Sequence, residues 1–144
     1  MNGRELYDIV IVEDDPGEQK LLKLLLKDTE YIVNPFFLSD GEEAINYFKS
    51  LNDEKQKAQK IDLILLDLNL PKINGSEVLK YIKSTPHLRR IPVVVLTTSA
   101  NNSDVLMSYD NGAAGFIRKP TVFEEYRHVF KNMLHYWFQV CIIP

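Results

Sequence analysis

The chain has 144 residues, 45% of them hydrophobic and 26% charged, with a formal net charge of −3. This composition is ordinary for one soluble globular domain and provides no basic surface of the kind that binds nucleic acid. A single cysteine excludes an intrachain disulfide, no apolar run approaches the roughly 20 residues that cross a membrane, and signal-peptide features are absent from the N-terminus, so a cytoplasmic protein is expected.

The first half of the chain predicts two strands and two helices. Residues 7–13 form a β-branched run that predicts a strand, and residues 16–27 carry leucines at helical spacing behind a proline. A second strand is predicted over residues 31–39 and a second helix over residues 41–51. The polar residues 52–60 predict an exposed extension of that helix or a mobile loop.

The second half of the chain continues the alternation. The predicted strands span residues 61–67, 91–97 and 114–117, and the predicted helices span residues 76–84, 103–111 and 121–138. Strands that alternate with helices predict a parallel sheet with right-handed crossovers. Five such units in this length favour a doubly wound α/β sheet.

Polar residues stand where the predicted strands end. They are Glu13 and Asp14 at the end of the first strand, Asp67 at the end of the third, Thr97 at the end of the fourth and Lys119 after the fifth. Parallel strands place these ends at one edge of the sheet, where open α/β sheets bind their ligands. Glu13, Asp14 and Asp67 are therefore expected to converge in one shallow pocket.

Such a pocket has a defined chemistry. Clustered carboxylates repel one another, and Mg²⁺ is a hard cation that compensates such a cluster while it also binds phosphate oxygens. Lys119 offers a second positive charge and Thr97 a hydroxyl, which together suit the oxygens of a phosphoryl group. The carboxylate of Asp67 can then act as a nucleophile and form an acyl phosphate.

Each motif also has a simpler interpretation. Asp67 could cap the helix that follows it, the acidic "VEDDP" segment could cap the first helix, and Lys119 could be a solvated surface lysine. Their joint occurrence at the ends of successive strands favours the functional interpretation.

Four blocks of the sequence resemble those of two-component response regulator receiver domains. They are "IVEDDPGEQKLL", "IDLILLDLNLPKINGSEVL", "IPVVVLTTSA" and "GAAGFIRKP". The resemblance covers nearly the whole chain and implies a single receiver domain over residues 1–144, with a core at about 6–137 and an aromatic, apolar extension at 138–144. The implied fold is a flavodoxin-like, doubly wound (βα)5 sandwich with sheet order 2-1-3-4-5.

A further similarity concerns one subgroup of receivers. "LILLDLNLPK", "RIPVVVLTTS" and the C-terminal "HYWFQVCIIP" are similar to small receivers that pair with bacterial phytochrome kinases.

The resemblance assigns a role to each residue of the pocket. It implies that Asp67 is the phosphoacceptor and that Mg²⁺ is bound by Asp14 directly, by Glu13 through water and by the backbone carbonyl of Asn69, with Asp67 completing the set. Thr97 and Lys119 are implied to bind the phosphoryl oxygens.

The resemblance also implies a switch. Phe116 is expected to turn inward when Thr97 moves, and the Lys119–Pro120 bond is expected to be cis. Thr98 departs from the family pattern, since a smaller residue is usual there, and its side chain is expected to narrow access to Asp67.

The function implied is that of a phosphorelay response regulator. A sensor histidine kinase, of the phytochrome type, would supply the phosphoryl group, and the chain would be a self-phosphorylating phosphoacceptor that can lose the group again, not a turnover enzyme. Output would pass through the fourth helix, fifth strand and fifth helix, at about residues 103–136, because no effector domain is expected. The aromatic tail would either fold back on its own domain or, with the last helix, form a homodimer face.

Three other functions compete with this one. A haloacid-dehalogenase-type phosphatase would need a second aspartate where Asn69 stands, and a flavodoxin would need a phosphate-binding loop where the acidic "EDDPGEQ" stands. A phosphorylation-independent adaptor of the same fold is the strongest alternative. Such an adaptor would typically lack Asp67, Thr97 or Lys119, all of which are present.

Overall fold

The computed structural model describes residues 6–144, which form a five-stranded sheet flanked by helices. The strands are β1 (Leu6–Val12), β2 (Ile32–Leu38), β3 (Ile61–Leu66), β4 (Val93–Thr97) and β5 (Gly115–Arg118). The helices are α1 (Pro16–Lys27), α2 (Gly41–Ser50), α3 (Lys55–Lys60), α4 (Gly75–Ser84), α5 (Asn102–Asp110) and α6 (Phe123–His135). In most elements the observed limits lie within two residues of the predicted ones.

The sheet is parallel throughout and has the order β2-β1-β3-β4-β5. This order confirms the predicted doubly wound topology. Val12 pairs with Leu66 across β1 and β3, and Leu66 pairs with Val95 across β3 and β4. The carboxyl ends of the three central strands therefore lie side by side.

The hydrophobic core lies on both faces of the sheet, because alternate residues of a strand point to opposite faces. Leu63 and Leu65 of β3 join a cluster with α1 and α6, whereas Ile64 and Leu66 join a cluster with α2 and α4. All six residues of β3 are buried. A continuous apolar run is what a central strand covered on both faces requires.

The segment after α2 differs from its prediction. Residues 52–60 were expected to form an exposed helical extension or a mobile loop, but the chain makes a 3₁₀ turn at Leu51–Asp53 and then the short helix α3. Leu51 and Ala58 are buried in the core, and these two side chains hold the segment against the sheet. The polar residues between them hide this anchoring in the sequence.

The Lys119–Pro120 peptide bond is trans, so the expectation of a cis bond is wrong for this structure. Trans is the lower-energy isomer even before proline. The backbone N–H of Lys119 donates to the carbonyl of Thr97 at 2.8 Å, which continues the pairing of β4 with β5.

Helix α5 differs from α4 in the side chains that it buries. Within α5, all of which is described, Ser108 is the buried residue. Its hydroxyl has no hydrogen-bond partner in the part of the chain that the structure describes. The helix thus buries one polar side chain where α4 buries Val78, Leu79 and Ile82.

The C-terminal tail folds back on its own domain, where Trp137 and Ile143 pack partly buried against the core cluster and Phe138 is fully buried. After α6 the chain makes a π-helical turn at Tyr136–Val140, which buries Phe138 completely. The ring of Phe138 stacks on Tyr7 with centroids 3.9 Å apart, and the Tyr7 hydroxyl donates to the Phe138 carbonyl at 3.3 Å. Val140 and Ile142 remain exposed.

Among residues 6–144 there is no helix with the length and apolar character needed to cross a bilayer.

The burial of Phe138 predicts a large stability effect in the tail. Phe138→Ala should lower the free energy of unfolding by about 3–5 kcal/mol, because it removes a fully buried ring and leaves a cavity beside Tyr7. Ile142→Ala is the matched control in the same tail and should change stability by less than about 0.5 kcal/mol. Denaturant unfolding of both variants measures the difference. Equal effects would mean that the tail does not pack as described.

Candidate functional site

The backbone around Asp67 is fixed where β3 ends. The amide of Asp67 donates to the carbonyl of Val12 at 3.1 Å, which ties the residue to the end of β1. Helix α4 begins close by at Gly75, where a β-carbon would lie 2.2 Å from the carbonyl oxygen of Asp67. Glycine is therefore required at position 75 for α4 to start against this strand end.

The carboxylate of Asp67 is buried and holds hydrogen bonds on both of its oxygens. Oδ1 accepts from the Thr97 hydroxyl at 2.9 Å and from the backbone N–H of Asn69 at 3.1 Å. Oδ2 accepts from the ammonium of Lys119 at 2.9 Å. Two side-chain donors, one from β4 and one that follows β5, thus meet at one carboxylate.

Lys119 is shared by several acidic groups. Its ammonium donates to Asp67 and, in a shorter contact, to Glu13, and it lies 3.7 Å from the carboxylate of Glu18. Burial lowers the pKa of Lys119, but the hydrogen bonds to Glu13 and Asp67 outweigh that effect and raise it. Lys119 therefore stays protonated throughout the physiological range.

Glu13 is the most buried carboxylate of the site, with 3% of its surface exposed. Burial raises its pKa to about 7, against the opposing effect of the hydrogen bond from Lys119. Its second oxygen accepts from the backbone N–H of Asp15 at 3.1 Å. This contact fixes the turn between β1 and α1.

Glu13, Asp14 and Asp67 form an acidic cluster in which one oxygen of each residue lies within 4.8 Å of the others. Asp14 is exposed and the other two are buried. Three carboxylate oxygens at this spacing, one of them open to solvent, fit a hard divalent cation that keeps part of its water shell. Asn69 follows two residues after Asp67, and its side-chain amide donates to the Thr97 hydroxyl at 3.5 Å.

Helix capping does not account for Asp67. The cap of α4 is Asn74, whose side chain accepts from the N–H of Glu77. In the acidic segment after β1, capping applies to Asp15, which accepts from the N–H of Gly17. The capping interpretation therefore holds for Asp15, while Glu13, Asp14 and Asp67 face one another.

Two further predicted residues lie at the margin of the site. Phe116 pairs with Val95 in the sheet and is half-buried against the core cluster on the α4 face. Thr98 is exposed and lines a cavity of about 270 Å³ beside Lys119.

Sequence reasoning missed Glu18 and Tyr126, which also line that cavity. The hydroxyl of Tyr126 donates to the Glu18 carboxylate, and burial raises the pKa of Tyr126 far above its usual value. Glu18 stands in the first turn of α1, shortly after the acidic residues of the site. A buried tyrosine needs a partner for its hydroxyl, but the sequence alone does not show which carboxylate supplies it.

The chain is similar to known response regulators. The family model described as the response regulator receiver domain matches residues 9–131. The response regulator Rcp1 of Synechocystis sp. is 35% identical over 136 residues, which cover 94% of this chain and 92% of the relative.

Two solved structures extend the comparison. A phosphorylated cyanobacterial phytochrome response regulator, RcpA, is similar with a TM-score of 0.86 and 38% identity, covering 96% of this chain and 98% of its own. The Mn²⁺-bound form of response regulator Rcp1 is similar with a TM-score of 0.82 and 34% identity, covering 96% and 99%.

The raised pKa of Glu13 predicts a pH-dependent stability. The folded chain binds this proton more tightly than the unfolded chain, whose glutamate has an ordinary value of 4.5. The contribution is complete below that value and is lost as pH rises through about 7, a change of up to about 3 kcal/mol. Glu13→Gln should therefore flatten the dependence of the unfolding free energy on pH between about pH 5 and 8, measured by denaturant unfolding with a chelator present.

Glu42→Gln is the control, because Glu42 is an exposed glutamate in α2. It should retain the slope of the unsubstituted chain. A slope that is the same in the Glu13→Gln variant would contradict the assignment.

Proposed function

Because the chain belongs to the response regulator receiver domain family, we propose that it accepts a phosphoryl group on Asp67. One observation carries the proposal: the two oxygens of a buried aspartate are held by Thr97 on one side and Lys119 on the other. The acidic cluster beside them supports a phosphoryl-transfer site over a phosphate-free adaptor surface.

The reaction is a transfer from a phosphohistidine. One oxygen of Asp67 attacks phosphorus, the new O–P bond forms as the N–P bond breaks, and the imidazole leaves with the bonding electron pair and takes up a proton. Thr97 and Lys119 already donate to Asp67, so a short shift brings both donors onto oxygens of the bound phosphoryl group. Most of the rate acceleration then comes from positioning and charge neutralisation.

The residues that would hold Mg²⁺ are Glu13, Asp14 and Asp67, with the backbone carbonyl of Asn69. When bound, the cation neutralises negative charge on the phosphoryl oxygens as they approach Asp67. The spacing of the three carboxylates and the Mn²⁺-bound form of the relative Rcp1 support this assignment.

The phosphoryl donor lies on another protein. His87 lines a cavity bordered by Pro92, which precedes β4 at the opposite edge of the sheet, and His128 and His135 lie in α6. We therefore propose a sensor histidine kinase as partner. The similarity to a phytochrome response regulator supports a kinase of the phytochrome type.

The signal would leave through α5, β5 and α6, which correspond to the predicted fourth helix, fifth strand and fifth helix. Phosphorylation adds close to two negative charges at Asp67 and draws Thr97 and Lys119 toward the phosphoryl oxygens. Movement of Thr97 frees space toward Phe116, which is half-buried and paired with β4. A population shift of these elements would present a changed surface to a partner protein.

Labelling by a small phosphodonor tests the function. With acetyl phosphate and Mg²⁺, the intact chain should gain the mass of one phosphoryl group, and Asp67→Asn should not, because its amide is not a nucleophile. Asp53→Asn is the matched control on an exposed aspartate and should be labelled normally. Chelation of the cation should abolish labelling. A folded chain that remains unlabelled under these conditions would favour the phosphorylation-independent adaptor.

We also propose that the chain forms a homodimer through α6 and the tail. Beyond the buried Phe138, the tail leaves Tyr136, Val140 and Ile142 exposed, with 51%, 62% and 93% of their surfaces accessible. Apolar side chains in this number, next to an amphipathic helix, support an interface between copies.

Sedimentation measures this self-association. Val140→Asp should shift the equilibrium toward monomer by at least about tenfold, because a charge would be buried at the interface. Leu24→Asp, on an exposed position of α1, is the control and should leave the equilibrium unchanged. A chain that stays monomeric at every accessible concentration would contradict the dimer.

A further inference from the structure

Glu18 stands between two partners that come from different parts of the fold. The same oxygen, Oε1, accepts the hydrogen bond of the Tyr126 hydroxyl and lies 3.7 Å from the ammonium of Lys119. Glu18 belongs to α1 and Tyr126 to α6. One carboxylate therefore connects two helices on the same face of the sheet to the lysine of the site.

The distances show that the Glu18 carboxylate contacts Tyr126 more closely than it contacts Lys119. Lys119 lies 2.9 Å from Asp67 but 3.7 Å from Glu18, which is within ion-pair range and beyond ordinary hydrogen-bond length. The short contact with Tyr126 holds Oε1 on the α6 side. Tyr126 is 3% exposed, so its hydroxyl has little access to water as an alternative partner.

We propose that Glu18 is a positioning residue for Lys119 and that Tyr126 restrains it. Tyr126 keeps the Glu18 carboxylate from closing on Lys119, which leaves the ammonium directed at Glu13 and Asp67. The inference rests on the proposed phosphoryl transfer to Asp67 and names two further residues that set its rate.

The chemistry of the step gives the direction of each effect. The lysine must move onto a phosphoryl oxygen as the O–P bond forms, and any carboxylate that attracts it competes with that oxygen. Glu18 also adds negative charge near an incoming anionic donor. Removal of the charge should speed the transfer, whereas release of the charge from Tyr126 should slow it.

A double-mutant cycle tests this arrangement. The rate constant for labelling by acetyl phosphate is measured for the intact chain, Glu18→Gln, Tyr126→Phe and the double variant, with Mg²⁺ saturating. Glu18→Gln should raise the rate constant about threefold or more, and Tyr126→Phe should lower it by a similar factor. Tyr126→Phe should have little effect in the Glu18→Gln background, because the tyrosine acts through the carboxylate.

A matched control removes a different tyrosine hydroxyl. Tyr7→Phe deletes the hydrogen bond to the Phe138 carbonyl, remote from Lys119, and should leave the rate constant unchanged. The cycle overturns the proposal if Tyr126→Phe changes the rate by the same factor in both backgrounds, including no change in either.

A second readout needs no phosphorylation. The NMR signal of the Lys119 ammonium, in isotope-labelled protein with a chelator present, is identified by its loss in Lys119→Arg. Tyr126→Phe should shift this signal when Glu18 is present and leave it in place in the Glu18→Gln background. Equal shifts in both backgrounds would overturn the proposal.

The labelling rate and the ammonium signal together distinguish failure of the proposed function from failure of the inference about Glu18 and Tyr126. An intact chain that is not labelled at Asp67 refutes the proposed function, and the ammonium signal then decides whether Tyr126 and Glu18 position Lys119. A labelled chain without coupling between the two residues retains the function and refutes the inference.

Discussion

The ion pair between Lys119 and Asp67 is the interaction on which the site depends. A buried carboxylate costs free energy unless a charge and hydrogen bonds compensate it, and the loss of one partner from a buried pair costs about 3–5 kcal/mol. Lys119 compensates Glu13 and Asp67 together, at the ends of two adjacent strands. The parallel order of β1, β3, β4 and β5 is what brings the lysine that follows β5 to these two carboxylates.

The same interaction explains why the site suits a transferable group. Each donor that neutralises Asp67 could also bind a phosphoryl oxygen, so under the proposed function the donors would already be oriented before the group arrives. Glu13 contributes differently, since its raised pKa reflects burial that the lysine offsets only in part. The fold that carries this geometry is similar to that of a phytochrome response regulator over nearly the full length of both chains.

Much of this arrangement could be predicted from the sequence, because it follows from the topology of the sheet. Asp67, Thr97 and Lys119 stand at the ends of recognisable strands, and strand ends in a parallel sheet meet at one edge. The contact between Glu18 and Tyr126 could not be placed in this way, since it depends on how α1 and α6 are rotated against each other.

Burial inside polar or terminal segments was also hidden from the sequence. The helix α3 is held by the isolated side chains Leu51 and Ala58, and periodicity cannot identify an anchor of two residues. The aromatic tail offered a choice between its own core and a second copy. Phe138 packs into the core of its own domain, because the rings of Tyr7 and Tyr31 contact it where the chain returns to the sheet.

The single buried serine of α5 has a consequence for the proposed output through this helix. An apolar side chain contributes about 1.5–3 kcal/mol when it is buried, and the unpaired hydroxyl of Ser108 forgoes much of that gain. Displacement of α5 from the sheet therefore sacrifices little hydrophobic free energy. Under the proposed output path, a ligand that prefers the displaced helix by only about 1.4 kcal/mol would change the ratio of the two arrangements tenfold, so even a weak, short-lived encounter could be registered by this helix.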